Sequence, residues 1–336
     1  MTKYVYTLVV ISFLMFSCGN PAKEENKQFV EGVNIPKPLL GLNSKIENNP
    51  KNADLYNERA KYYFEAKDAG AALKDIQMAI SLDSTKANYF LTLSDVYFVM
   101  GSSGYAKAAL EKCVLLDSKN VEGLLKLAEL YLYVKQFKTS IQYLDKVLKI
   151  DINNPKAYFI KGMNFKELGD TAKAISSFET TVEQDPDYYD AFMQLGIIAA
   201  AKHNALAVEY FKSAILLNPK SIEAYYSLGM FYQDHGELNR AIEAYTAILQ
   251  IDPTNKNANY NLGYIHFEYL KMYDKALEYF DKAFEADKKY YTAVYMRGLC
   301  YETLGNVKAA KADYTTAIEI NYGYAKAIEG IKRLEK

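Results

Sequence analysis

The chain has 336 residues, 50% apolar, 24% charged and 14% aromatic, which excludes a natively disordered protein. Lys and Arg total 40 against 41 for Asp and Glu, so no strong field draws nucleic acid or an acidic membrane face. Three scattered cysteines, Cys18, Cys113 and Cys300, are too few for a disulfide framework or a four-ligand zinc site, and 8 Pro with 17 Gly favour many helices joined by short turns.

At the start of the chain Lys3 is the only charge before position 23, and Tyr4 to Phe16 form an apolar run that ends at Ser17. That is the layout of an export signal, and the run is shorter than the ~20 residues that span a bilayer. Leu14-Met15-Phe16-Ser17-Cys18 resembles the lipobox of bacterial lipoproteins. The resemblance implies a signal peptide over 1–17 and diacylglycerol on the Cys18 thiol. Met15 and Phe16 depart from the commonest lipobox, whereas Ser17 and Cys18 fit it. Gly19 after the cysteine points to the outer membrane rather than inner-membrane retention, and Lys23-Glu24-Glu25 is similar to a surface-export tag. An ordinary secreted protein with an incidental cysteine is the other reading. Residues 18–36, rich in Asn, Lys, Glu and Pro, are expected to form a flexible tether that stands the rest clear of lipid.

Next, over 37–52, Leu39, Leu42 and Ile46 predict a solitary helix ending before Asn49-Pro50. From Ala53 to Tyr324 the chain repeats with a period of 34 residues. Units begin at Ala53, Ala87, Val121, Pro155, Tyr189, Ile222, Lys256 and Tyr291; the fifth is one residue short near Lys202-His203-Asn204 and the seventh one long near Leu270-Lys271. Each unit holds two apolar-faced helices around a polar turn. Pro186, Pro219 and Pro253 mark the ends of second helices, which leaves the second, third and seventh junctions less sharply defined.

Small residues recur at the eighth position: Ala60, Ser94, Ala128, Gly162, Gly196, Gly229, Gly263 and Gly298. They recur again in the second helix: Ala72, Ala106, Ser140, Ala174, Ala207, Ala241, Ala276 and Ala310. Close approach of two helix backbones at a fixed crossing point accounts for both sets and sets Gly229 against Ala241 in the sixth unit. Large knobs complement them, Tyr63, Tyr97, Tyr131, Phe165, Tyr232 and Tyr301 from first helices, and Ile76, Leu110, Leu144, Phe178, Phe211, Tyr245, Phe280 and Tyr314 from second helices. Length, small positions and knobs together resemble the tetratricopeptide repeat. The resemblance implies an all-α fold: a right-handed α-solenoid of eight units over 53–324, with the helix before it and a capping helix over 325–336. Ala327, Ile328, Ile331 and Leu334 supply the apolar side of that last helix.

Within the solenoid no phosphate cradle, zinc-protease helix or nucleophile elbow occurs, so no catalytic residue, cofactor or metal is expected and the chain does not read as an enzyme. His203, His235 and His266 fall near the ends of consecutive first helices, where a metal or pH site along one edge competes with ordinary packing, and His266 reads as a substitute for an aromatic knob. Cys113 and Cys300 read as core residues too far apart to bridge. In the resembled family the second, fifth, ninth, twelfth and thirteenth positions of each first helix form a concave face. Asn57, Lys61, Leu91, Asp95, Leu125 and Glu129 make that face mixed in the early units. Phe159, Met163, Met193, Ile197, Tyr226, Met230, Tyr260, Tyr264, Phe267, Tyr295 and Leu299 make it apolar and aromatic in the later ones. The late run reads either as the lining of a groove for a protein or peptide with apolar anchors, or as packing between neighbouring helices. The fifth-position lysine and ninth-position asparagine of the chaperone-binding subset, which clamp a carboxylate terminus, are missing. The expectation is a non-catalytic scaffold lipoprotein at the bacterial outer membrane, held there by its N-terminal lipid. A surface glycan-capture lipoprotein is the alternative, disfavoured by the lack of Trp.

Overall fold

The computed structural model describes residues 36–335; the leader, Cys18 and all of the tether before Pro36 lie outside the described residues. Among the described residues there are eighteen α-helices and no strand. A first helix, α1 (Lys37–Asn48), precedes eight pairs. These are α2 and α3 (Ala53–Glu65, Ala69–Leu82), α4 and α5 (Ala87–Val99, Ser103–Leu116), α6 and α7 (Val121–Tyr133, Phe137–Ile150), and α8 and α9 (Pro155–Glu167, Thr171–Gln184). They continue as α10 and α11 (Tyr189–Ala201, Leu206–Leu217), α12 and α13 (Ile222–Asp234, Leu238–Ile251), α14 and α15 (Lys256–Tyr264, Tyr273–Ala286), and α16 and α17 (Tyr291–Thr303, Val307–Ile320), before α18 (Ala325–Leu334). Each helix packs on the next in sequence, which makes an α-solenoid. Every first helix starts at the residue that the 34-residue period assigns to it.

Two recurring backbone devices set these boundaries. The turn residue, fifteenth in every unit but the long seventh where it is sixteenth, is left-handed: Lys67, Gly101, Lys135, Gly169, His203, Gly236, Lys271 and Gly305 have φ between 52° and 78°. The following N–H then reaches the carbonyl five residues back in seven of the eight units, as from Gln136 to Tyr131 at 2.7 Å and from Glu237 to Tyr232 at 2.8 Å. This closure satisfies carbonyls that the helix end would otherwise orphan. At the end of each second helix stands Asp83, Asp117, Asp151, Asp185, Asn218, Asp252, Asp287 or Asn321. In the first seven, a side-chain oxygen accepts the N–H two residues on, at 2.9 to 3.2 Å. These Asx turns end the helix with or without proline. The second, third and seventh junctions are therefore as sharp as the others, contrary to the reading from proline.

The two irregular units keep their register by different means. In the seventh, the extra residue is absorbed by a five-residue π-helical segment, Ile265–Tyr269, directly after α14. The N–H of Leu270 reaches Ile265 O at 3.1 Å, and the turn closes from Met272 to His266 O at 2.8 Å, one residue further back than elsewhere. In the fifth, the missing residue falls after the turn: α11 has 12 residues where the other second helices have 14, and Asn204 Oδ1 caps it at Leu206 N, 3.0 Å away.

The sixteen small positions are buried, and the structure refines the reason. A Cβ placed on Gly162, Gly196, Gly229, Gly263 or Gly298 would lie 2.5 to 2.9 Å from the ring of Phe178, Phe211, Tyr245, Phe280 or Tyr314 respectively. The glycine at the eighth position accommodates the face of the second-helix knob, so Gly229 meets Tyr245 where the sequence suggested Ala241. Backbone approach at the crossing is seen in the third unit, where Ser140 Oγ donates to Ala128 O at 2.7 Å.

Both ends carry the same brace. Arg59 forks onto Asp75 at 2.6 and 2.8 Å and reaches back to Asn43 of α1 at 2.7 Å. Arg297 forks onto Asp313 at 2.8 Å and reaches back to Asp281 of α15. Such bidentate pairs fix orientation as well as charge. Ile46 of α1 is buried at the start, and at the end α18 buries Ala327 and sets Gly330 against the edge of the Tyr314 ring opposite to the one that Gly298 meets. Arg333 of α18 holds Glu302 at 2.8 and 2.9 Å.

Candidate functional site

The aromatic run of the later units is half-buried or buried throughout. Fifth-position rings pack at a tilt against the second-helix knob of their own unit: Phe159 against Phe178 at 5.6 Å between centroids, Tyr226 against Tyr245 at 6.0 Å, Tyr260 against Phe280 at 5.6 Å and Tyr295 against Tyr314 at 5.6 Å. Three of them touch a second ring from the end of the unit, Tyr188 at 5.0 Å, Tyr290 at 5.3 Å and Tyr324 at 5.4 Å. Burial pushes the Tyr188 hydroxyl up to about 12 and raises Tyr260 and Tyr295 as well. Met193 is buried in the fifth unit, and Phe267, drawn into the π segment, is 8% exposed against Tyr273. Met163, Ile197, Met230, Tyr264 and Leu299 keep part of their surface open. Packing of one ring on the next is thus part of what this run does, and the remaining open surface is what a ligand can reach.

More open apolar surface lies at the early units. A recess of about 840 Å³ opens between α4, α6, the start of α5 and the turns that follow α4 and α6. Phe98, Leu130, Tyr131, Tyr133 and Val134 supply its apolar walls. Phe98 is 40% exposed and Tyr133 84%. They occupy the twelfth and thirteenth positions of their first helices, and Asp95 and Glu129, also at the recess, occupy the ninth. All four are concave-face positions in the resembled repeat. The charges around the recess are matched within the chain: Lys126 to Asp95 at 2.6 Å and to Glu122 at 3.0 Å, Lys156 to Glu129 at 2.8 Å, Lys107 to Glu111 at 3.6 Å. Burial works against the Lys126 ammonium, but its two carboxylates hold its pKa above the ordinary value. The fifth and ninth positions of the early units are mixed, as the sequence indicates, and the open apolar surface comes instead from the last residues of their first helices.

The histidines separate. His266 is 3% exposed, bonds Leu262 O through Nδ1 at 2.7 Å and lies beside Tyr279, so it takes the knob position expected of it; burial lowers its pKa. His203 and His235 face each other at the turns of the fifth and sixth units, 5.6 Å between ring centroids. Cys113 and Cys300 are buried free thiols, and burial pushes their pKa values up to about 11 and about 12, which keeps them protonated and unreactive. Among the described residues no helix is long and apolar enough to cross a membrane.

Comparison with known proteins follows the same units. Tetratricopeptide repeat families match residues 222–255 and residues 121–154, 155–188, 257–290 and 291–324, together half of the chain. The unmatched first, second and fifth units have the same helix pairs. A solved tetratricopeptide repeat-containing protein from Cytophaga hutchinsonii is similar in fold, with a TM-score of 0.53 and 24% identity over 66% of this chain and 91% of that one. A UDP-N-acetylglucosamine–peptide N-acetylglucosaminyltransferase of Giardia intestinalis is 33% identical over 84 residues, 25% of this chain. A DnaJ homolog subfamily C member 7 homolog of Schizosaccharomyces pombe is 26% identical over 193 residues, 56% of this chain. The matched stretches amount to 6% and 36% of those two proteins.

Proposed function

The chain belongs to the tetratricopeptide repeat family and is a protein–protein interaction scaffold, and from that premise we propose a non-catalytic adaptor, anchored by lipid on Cys18 at the bacterial outer membrane, that holds a protein segment on its concave face. One observation carries the binding part of this reading. At concave positions of the second and third units an 840 Å³ apolar recess lies open, while the charges around it are already paired within the chain. Such a site takes an apolar or aromatic anchor, and the half-open Met163, Ile197, Met230, Tyr264 and Leu299 extend the contact along the later units. Lipobox-like Ser17-Cys18 and the apolar run before it support the anchor.

A photo-crosslinking side chain at Tyr133 in intact cells, read by mass spectrometry, should trap one stoichiometric envelope protein. Phe98→Ala with Tyr133→Ala should weaken its capture by at least ~30-fold, the ~2 kcal/mol of a desolvated aromatic anchor. Raising salt from about 0.05 to about 0.5 M should leave the affinity nearly unchanged, since no unpaired charge is on offer. Cys18→Ala should abolish palmitate incorporation and release the protein from membranes; unchanged labelling removes the lipid anchor from the proposal. Undiminished capture by the double variant moves the binding site off the recess.

A further inference from the structure

The fifth and sixth units bring His203 and His235 together across 32 positions of sequence, on the edge of the solenoid where first and second helices join. We infer that this pair is a bridging site for a borderline divalent transition ion of the zinc or nickel type, one imidazole from each unit, with water completing the coordination. It goes beyond the scaffold reading and uses none of the recess residues.

Geometry comes first. The ring centroids are 5.6 Å apart and the planes are inclined at 58°. An ion bound tetrahedrally by two imidazole nitrogens at ~2.0–2.1 Å holds the ring centroids roughly 5 Å apart. The observed separation of the centroids is within about 1 Å of that value, and a rotation of the exposed His203 ring can bring one of its nitrogens to the ion. The opening beside the rings, about 350 Å³, has room for the ion and its waters.

His235 is oriented as a ligand must be. Its Nδ1 lies 2.7 Å from Phe231 O. A carbonyl oxygen only accepts, so Nδ1 carries the hydrogen and, in the neutral ring, Nε2 carries the free lone pair. The ring is held in place by stacking on Phe231, 4.0 Å between centroids at 26°. Metal-binding imidazoles commonly donate their other N–H to a backbone carbonyl in this way, which fixes the tautomer and the ring orientation. His203 is placed differently: it occupies the left-handed turn position with φ of 52°, where other units have Gly or Lys. A Lys there, as in the first, third and seventh units, supplies no neutral ligand, and the sixth unit alone puts a second histidine one residue before its turn glycine.

The choice of ion follows from what else lines the opening. Glu209 and Glu237 line it too: Arg240 holds Glu237 at 2.5 Å, whereas Glu209 is exposed and lies 3.8 Å from Lys212. No group of three His, Cys, Asp or Glu side chains converges among the described residues, so the two imidazoles with water form the donor set. Imidazole ligands suit zinc, nickel and copper, and leave magnesium and calcium in water. Because the ligands come from neighbouring units, an ion here ties the fifth unit, whose second helix starts late, to the sixth.

The test is titration of the full chain with Zn²⁺ and with Ni²⁺, followed by calorimetry and by thermal melting, against His203→Asn, His235→Gln and the double variant. Asn tolerates the left-handed conformation at 203, and melting without metal confirms that each variant is folded. One ion per chain should bind to wild type, each single variant should bind at least 10-fold more weakly, and the melting temperature should rise with Zn²⁺ in wild type alone. Mg²⁺ and Ca²⁺ should give no signal. Undiminished binding by the double variant, loss in only one of the two single variants, or no Zn²⁺ signal in wild type overturns the bridging site.

Discussion

The first three units and the last five solve the same packing problem in opposite ways. In the early units a side chain of one carbon or a hydroxymethyl, Ala60, Ser94 or Ala128, faces an aliphatic knob, Ile76, Leu110 or Leu144. In the later units every eighth position is glycine and every knob is a ring, Phe178, Phe211, Tyr245, Phe280 or Tyr314. Volume removed on one helix reappears on the other. A protein interior packed at crystal density permits no other outcome: adding a ring without removing the methyl clashes, and removing the methyl without adding the ring leaves a void. The changeover falls between the third and fourth units and is bridged by a polar relay. There Ser140 donates to Ala128 O and accepts from Asn164 Nδ2 at 2.9 Å, across α6, α7 and α8.

The largest expected effect comes from forcing a late unit to carry an early residue. A Cβ alone at Gly229 would sit 2.7 Å from the buried Tyr245 ring, so Gly229→Leu should cost about 3 kcal/mol, measured by urea unfolding. Gly196→Ala should cost about 2 kcal/mol, and Phe211→Leu roughly 1 kcal/mol. The two together recreate the Ala–Leu pairing of the third unit, so the double variant should lose less than the sum of the singles, with a coupling above ~0.5 kcal/mol. Simple additivity would mean that ring and glycine are not partners. Lys332→Ala, on the exposed side of α18, is the control and should stay within about 0.5 kcal/mol.

This reciprocity was half legible in the sequence. The period, the start of every first helix and both sets of small residues follow from spacing alone, because a solenoid repeats its contacts at the interval of its sequence. What spacing does not give is direction: Gly229 and Ala241 share a crossing region, yet only backbone geometry shows that the missing Cβ points at Tyr245. The Asx turns are written as Asp or Asn at the end of the first seven second helices, from Asp83 to Asp287, a broader signal than proline, which follows only three of them. The extra residue of the seventh unit was placed within two residues of the π segment that absorbs it, since an insertion inside a helix has few other ways to keep the downstream register. The open recess was missed because exposure at Phe98 and Tyr133 depends on how neighbouring turns splay, which no periodicity reports.

A smaller effect should be common to both regions, because the Asx turns recur in both. The Thr85 hydroxyl and then its N–H hold the Asp83 carboxylate below its ordinary pKa, Thr254 does the same for Asp252, and Lys256 followed by the Lys289 N–H does so for Asp287. A carboxylate depressed in the folded state contributes stability that is present above its unfolded value of about 3.9 and is lost as pH falls through the folded value. The melting temperature should therefore fall on acidification from about pH 5 to about pH 2. Asp83→Asn combined with Asp252→Asn keeps the turn acceptors but removes the titration, so this variant should melt close to wild type at pH 7 and show a flatter acid limb. A limb of unchanged slope would assign acid sensitivity elsewhere.

The smallest effect concerns the left-handed turn position, where the early-versus-late division disappears. Glycine occupies it in the second, fourth, sixth and eighth units, and Lys67, Lys135, His203 and Lys271 occupy it in the odd ones. An L-residue held there costs roughly 1–2 kcal/mol relative to its preferred region, but glycine loses more freedom on folding by ~0.5–1 kcal/mol. The two terms nearly offset, and the balance favours glycine by about 0.5 kcal/mol. Lys135→Gly should raise stability by that amount, and Lys67→Gly and Lys271→Gly by a similar amount, because neither the knob nor the eighth position is touched. A gain confined to Lys67 and Lys135 would mean that the turns differ between the two regions as the cores do. A loss at all three would mean that the lysine side chains contribute more than the strain they carry.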